Sequence, residues 1–343
     1  MEKAVELHRK IAPELVEAVE DRYSILRHIH YAQPIGRRVL AADLGLAERG
    51  VRTHIDFLKT AGLIDFSPLG MAVTGEGEAV LEDLAEYVRS LHGLATLENE
   101  LAKRLGIRKV VIIRGDVSAD PIVRRELGRA AAGVLSEHLG DNMTIAVSGG
   151  STMAWVAEAV AFTRPETTVL PARGGLGEKV EYQANTIAAV IATKLGGRYR
   201  LLHVPDGVSE EALDVLLAHD ANLRALAQMI RQADLLLHGI GQAEAMARRR
   251  GLSPSFIEQM RAAGMVGEAL GHYCTLAGKV INDTSSIGLK MDELTGLKHV
   301  IAVAGGREKA AAIIAVAAAG SRDVLVTDEA AARAIQDILN KKN

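Results

Sequence analysis

The sequence predicts an α/β protein in two parts: an N-terminal winged helix-turn-helix and a larger Rossmann-like domain with an open, mostly parallel sheet. Three observations predict it. Before about residue 106 the apolar positions recur at helical spacing, with one short strand-turn-strand pattern. After it, short β-branched runs end in glycine-rich turns and are followed by helical stretches, the alternation of a parallel sheet. Aromatic residues are only 3% against 48% hydrophobic, so the core is built from Ala, Val, Leu and Ile, as helix-covered parallel sheets are.

Residues 1–75 form the expected head. Pro13 can open a helix through about Ala32, with Leu15, Val19, Ile25, Leu26 and Ile29 as its buried positions. Gln33-Pro34 breaks it, a short helix fits Gly36–Asp43, and a third fits Ala47–Ala61 until Gly62. Leu63–Phe66, Ser67–Gly70 and Met71–Thr74 then read as strand, turn and strand, the wing. Residues 76–105 read as one amphipathic linker segment, with Leu81, Leu84, Val88 and Leu91 in a stripe and Gly93 as a candidate hinge. That stripe either packs on its own domain or pairs two subunits.

Residues 106–343 form the expected α/β domain. Its predicted strands are Val110–Ile113, Thr144–Val147, Thr168–Leu170, Leu201–Val204, Leu235–Leu237, Val280–Ile281, Val300–Val303 and Val324–Val326. Ligands of such sheets bind at the carboxyl ends of the strands, where the glycine turns fall.

A length of 343 residues fits two or three domains, and a net charge of −3 requires any nucleic-acid-binding surface to be local. The single cysteine, Cys274, excludes an internal disulfide, and no Cys/His cluster has zinc spacing, so no metal is expected. No apolar run is long enough to span a bilayer, and the amino terminus has no secretory pattern; the expected location is the cytoplasm.

Between Arg22 and Lys59 seven basic residues stand against three acidic ones, within strongly acidic flanks. Such confinement suits the neutralisation of backbone phosphates. In the third helix Val51, Ile55 and Leu58 should face inward. Arg49, Arg52 and Thr53 then face outward near its start, the part that reaches base edges in a major groove. Arg37 and Arg38 precede them, and His54 either joins them or is merely exposed.

Ser148-Gly149-Gly150-Ser151-Thr152 follows a strand and opens a helix. Its glycines let consecutive N–H groups converge, the helix terminus adds partial positive charge, and Ser151 and Thr152 add hydroxyls: a phosphate cradle, or simply a tight turn. It is neither a Walker loop nor a dinucleotide fingerprint. A second cluster, Arg173-Gly174-Gly175-Leu176-Gly177-Glu178, is followed by Gln183 and Asn185. A third, Gly305-Gly306-Arg307-Glu308-Lys309, leads into an Ala-rich helix. A lysine in a first helical turn opposes the helix dipole, and a bound anion would resolve the conflict. Arg248-Arg249-Arg250 can supply a further cation, and Glu268 can accept hydrogen bonds from sugar hydroxyls.

Together with Val180–Thr186, His238-Gly239-Ile240-Gly241 and Val324–Ala331, these motifs resemble the SorC-type family of bacterial sugar-responsive transcriptional regulators over essentially the whole chain. The resemblance implies a repressor of a glycolytic operon, relieved by a phosphorylated sugar, with fructose-1,6-bisphosphate as the implied inducer and no cofactor. It implies dimers that pair into a tetramer on double-stranded operator DNA, with the effector loosening contacts between dimers. The family's effector site would fall on Gly149, Gly150, Ser151, Thr152, Arg173, Gly174, Gly175, Gln183, Asn185, Glu268 and Lys309, with Arg249 or Arg250. Where near relatives carry Gly-Gly-Thr-Thr, this chain has Gly-Gly-Ser-Thr, which keeps the hydroxyl. Such α/β domains are also similar to sugar-phosphate isomerases and deaminases, so an enzyme is the competing reading, with His238 and Glu244 as its candidate acid/base groups. A protein-binding scaffold is a third.

Overall fold

The computed structural model describes residues 2–175, 179–282 and 286–341. The chain divides into two compact units, residues 1–95 and 96–343.

The first unit begins with a helix not anticipated from the sequence, α1 (Glu2–Ile11). Then come α2 (Pro13–Ala32), α3 (Arg37–Asp43), α4 (Glu48–Thr60), an antiparallel hairpin of β1 (Ile64–Ser67) and β2 (Gly70–Val73), and α5 (Gly75–Leu91). Val51, Ile55 and Leu58 of α4 are buried against Ile25, Leu26 and Ile29 of α2, as the spacing predicts. Leu15 is instead exposed, because Val16 shares the inner face with Tyr23 and Leu26. The hairpin is fixed to the head at Ile35, which exchanges backbone hydrogen bonds of 3.1 and 2.8 Å with Met71.

The expected single linker segment is two helices. Gly93 takes φ +62°, closing α5, and α6 (Leu94–Leu105) starts after it. Leu81, Val88 and Leu91 are buried in the core of the first unit, so the stripe is used within its own domain. Further on, Glu98 accepts the Ile112 N–H at 2.6 Å and Glu100 accepts from the Gln336 side-chain amide at 2.6 Å, which ties α6 into the second unit.

Among the described residues, the second unit contains a seven-stranded, wholly parallel sheet. Its strands are β3 (Lys109–Ile113), β4 (Thr144–Val147), β5 (Thr168–Pro171), β6 (Arg198–Tyr199), β7 (Leu235–Gly239), β12 (His299–Val303) and β13 (Val324–Asp328). Their spatial order is β3-β13-β12-β7-β4-β5-β6. The intervening elements are α7 (Pro121–His138), α8 (Ser151–Ala159), α9 (Ala184–Leu195), α10 (Glu210–His219), α11 (Ala221–Arg231), α12 (Ala243–Arg249), α13 (Pro254–Ala262), α14 (Ala310–Ala319) and α15 (Glu329–Asn340). Ile145, Val147, Leu235, Leu237, Ile301 and Val303 point by alternation into one core with α7, α8 and α9, while Ala146, Leu236 and Ala302 are buried on the opposite face. Burial on both faces explains why these strands read as continuous apolar runs.

Two strand expectations are corrected. The edge strand is Arg198–Tyr199, and Leu201–Val204 has no strand pairing; its Leu202 backbone bonds the Asn185 side chain instead. Val280–Ile281 belongs to a separate antiparallel sheet of β8 (Gly241–Gln242), β9 (Met265–Ala269), β10 (His272–Thr275) and β11 (Val280–Asn282). Glu268 therefore stands on strand β9, not on a loop.

Candidate effector cavity and DNA-binding face

In the main sheet β4 lies between β5 and β7, and the loops after β4 and β7 leave in opposite directions in the strand order. The crevice at such a switch point is where open α/β sheets bind ligands. A cavity of about 320 Å3 lies there. It is lined by Gly149, Gly150, Ser151, Thr152, Arg173, Gly174, Gly175, Gln183, Arg249, Arg250, Glu268 and Lys309. Segments far apart in the sequence thus meet at one place. Leu176, Gly177 and Glu178 of the second cluster lie outside the described residues.

The loop after β4 is shaped by its glycines. A side chain at Gly149 would stand 2.7 Å from the Tyr182 carbonyl oxygen, and Gly150, at φ +119°, is the N-cap of α8. With no side-chain cap on α8, its first-turn N–H groups are directed at the cavity end of the helix, the arrangement that receives anions. Buried Ser148 braces the loop by accepting the Gly239 N–H at 3.1 Å.

Lys309 closes a 3₁₀ turn and precedes α14. The turn is anchored by Asp328, whose two carboxylate oxygens accept the Gly306 N–H at 3.0 and 2.9 Å. Burial holds the Lys309 ammonium below its ordinary pKa; Glu308 and Asp328 oppose this and the charge of Arg249 adds to it. Two cations therefore share one concave space, the situation an anion relieves.

The triple arginine separates into three roles. Arg248 pairs with Glu244 on the surface at 2.8 Å. Arg249 is exposed and lines the cavity. Arg250 is buried, bonding the Tyr273 hydroxyl at 2.9 Å and Glu268 at 2.8 Å. Burial alone would lower its pKa, but the Glu268 carboxylate and Tyr273 outweigh burial and raise it. Glu268 also accepts the Gly271 N–H at 2.6 Å, so its carboxylate is fixed in place.

Asn185 is not brought to the cavity. Its amide bonds the Leu202 carbonyl oxygen and N–H, both at 3.0 Å, which fastens the chain beyond the sheet edge to α9. Conversely, Asp206 lines the cavity and was missed by sequence reasoning. Its signal was the Pro205-Asp206-Gly207 turn that closes an apolar run.

The enzyme candidates have structural duties. His238 is wholly buried between the Ser321 hydroxyl and the Gly239 carbonyl oxygen, each at 3.0 Å, and burial pushes its pKa down to about 4. Glu244 is held by Arg248 and Arg261.

In the first unit, Arg37, Arg38, Arg49, Arg52 and Thr53 are all exposed. Arg38 and Arg52 make only loose pairs, 4.0 Å to Glu48 and 3.8 Å to Asp56, of the kind solvent screens. His54 departs from this face: it is half-buried, 3.5 Å from Asp21 of α2.

Residues 89–336 match the sugar-binding domain family, and residues 18–88 match the CggR N-terminal DNA-binding domain. The chain belongs to the SorC-type family of transcriptional regulators. It is 42% identical over 336 residues to the central glycolytic genes regulator of Priestia megaterium, covering 97% of this chain and 98% of that one. The namesake from Bacillus subtilis is 37% identical over 335 residues, with the same coverage. A solved structure described as a SorC family transcriptional regulator of Enterococcus faecalis has a TM-score of 0.65 at 36% identity, covering 70% of this chain and 99% of that one. The full-length sorbitol operon regulator SorC of Klebsiella pneumoniae, at 17% identity, shares the fold, with a TM-score of 0.64 over 90% of this chain and 96% of that one. This SorC-type chain is thus a sugar-responsive, DNA-binding regulator and not an enzyme. Among the described residues no helix is long and apolar enough to cross a membrane.

Proposed function

We propose that the chain is a cytoplasmic repressor of a glycolytic operon, released from its operator when a phosphorylated sugar, foremost fructose-1,6-bisphosphate, fills the cavity at the switch point. The observation that carries this reading is the placement of Lys309 and Arg249 in the cavity that also receives the uncapped start of α8. Backbone donors and cations converging on one space select a phosphate. The relatives named central glycolytic genes regulator support the choice of operon. Arg37, Arg38, Arg49, Arg52 and Thr53 hold the duplex, with the chain acting as a dimer that pairs into a tetramer on the operator.

Fluorescence anisotropy of duplex DNA from upstream of the glycolytic operon, titrated with a panel of glycolytic intermediates, tests the reading. Fructose-1,6-bisphosphate is expected to release the DNA, while Lys309→Ala and Arg173→Ala keep operator affinity but lose the response. Release by a different phosphorylated sugar would retain the regulator and replace the inducer. Normal responses in both variants would move the site elsewhere.

A further inference from the structure

Arg173 meets Asp206 edge-on inside the cavity, with Nε 3.1 Å from Oδ1 and Nη2 2.8 Å from Oδ2. Both side chains are almost sealed from solvent, at 7% and 4% exposure. The slot that holds them is built from glycines. A Cβ at Gly271, where φ is +82°, would stand 1.6 Å from Nη1 of Arg173. One at Gly174 would stand 2.4 Å from the Val204 carbonyl oxygen, and one at Gly288 2.8 Å from Cβ of Arg173. The backbone reinforces the slot, since Asp206 N–H donates to the Gly175 carbonyl oxygen at 3.2 Å and Arg173 bridges Gly288.

Removing two charges from water is costly, and only close, well-aligned geometry offsets it. This pair is close but only partly aligned, since among the described residues Asp206 Oδ2 makes an ion contact and no hydrogen bond, and it occupies the edge of the guanidinium that a phosphate takes bidentately. Burial raises the pKa of Asp206 and the charge of Arg173 opposes the rise. The arginine therefore presents to a ligand a charge already matched by a carboxylate. The loop Gly149–Thr152 and Lys309 supply other anion-binding groups in the same cavity.

We propose that Asp206 is a specificity-determining residue of this cavity, an internal carboxylate that competes with a ligand's second phosphate for the bidentate edge of Arg173. The inference rests on the reading that sugar phosphates occupy the cavity. A sugar with one phosphate binds at the α8 and Lys309 end and leaves the pair intact. A sugar with two must take the arginine from the carboxylate, so Asp206 lowers the preference for bisphosphates.

Calorimetric titration of the full chain with fructose 6-phosphate and with fructose-1,6-bisphosphate, at fixed ionic strength, tests this. Asp206→Asn is expected to tighten the bisphosphate on the order of tenfold and the monophosphate by under about threefold. Asp206→Glu, which keeps the charge, restores the wild-type ratio. Because Asp206→Asn leaves a buried guanidinium uncompensated and can unfold the domain, Arg173→Met is measured with and without Asp206→Asn. The two ratios should then agree within about twofold, since Asp206 acts through Arg173. Weaker bisphosphate binding in Asp206→Asn, an equal shift for both sugars, or ratios that differ in the Arg173→Met background overturns the proposal. A wild-type chain that binds neither sugar sinks the sugar-phosphate reading itself.

Discussion

Single residues in this protein take opposite duties according to what surrounds them. Gln183 and Asn185 are two positions apart, yet the first lines the cavity and the second is spent on the Leu202 backbone. Arg249 and Arg250 are adjacent, yet one is exposed at the cavity and the other is locked to Glu268 and Tyr273. His238 is the clearest case, since its exclusion from chemistry follows from burial. Its folded-state pKa of about 4 lies below the ordinary 6.5, so the unfolded chain binds the extra proton as the solution is acidified. The stability it contributes is complete above pH 6.5 and is lost as the pH falls toward 4, amounting to about 3 kcal/mol. Urea unfolding at pH 7 and pH 4.5 should show this loss in the wild type and a smaller one in His238→Gln. Equal losses in the two proteins would assign the acid sensitivity to other groups.

At the scale of elements, helix start and stop signals were legible because they are local chemistry. Pro13 opens α2, and Gly62, at φ +74°, follows the end of α4. The face of α4 followed from spacing alone, so its exposed arginines lead to a direct expectation. Arg49→Ala and Arg52→Ala should each lower the slope of log affinity against log salt by about one if each neutralises a phosphate. Anisotropy at several salt concentrations measures this. A base-reading arginine would instead leave the slope and relax sequence preference, and no effect in either variant would remove α4 from the interface. The antiparallel sheet of β8 to β11 was not legible. Its two central strands mix glycine, charged and aromatic residues, as in Met265-Val266-Gly267-Glu268-Ala269, so no period of two stands out.

At the scale of the whole molecule, the exposed arginines of α3 and α4 lie in one compact unit, residues 1–95, and the cavity lies wholly in the other, residues 96–343. A solved relative of 36% identity corresponds to 70% of this chain and is covered over 99% of its own length. Residues 96–343 expressed alone are expected to fold and to bind fructose-1,6-bisphosphate within about threefold of the full chain, a difference under 1 kcal/mol. The same fragment should not retain the operator. Calorimetry and anisotropy on the fragment test both points. Loss of sugar-phosphate binding would show that the first unit contributes to the effector site.

By itself the sequence determined the three helices and hairpin of the head from α2 to β2, the parallel character of the main sheet, the inner face of α4, and the glycine turns that line the cavity. Each of these is written in neighbouring residues, through periodicity, capping and the conformational freedom of glycine. Only the tertiary structure decided that Asn185 is a brace, that Glu268 belongs to a strand and is clamped by Arg250, and that Asp206 faces Arg173. Those outcomes depend on partners distant in sequence, and burial strengthens their charges and hydrogen bonds in ways that no local pattern records.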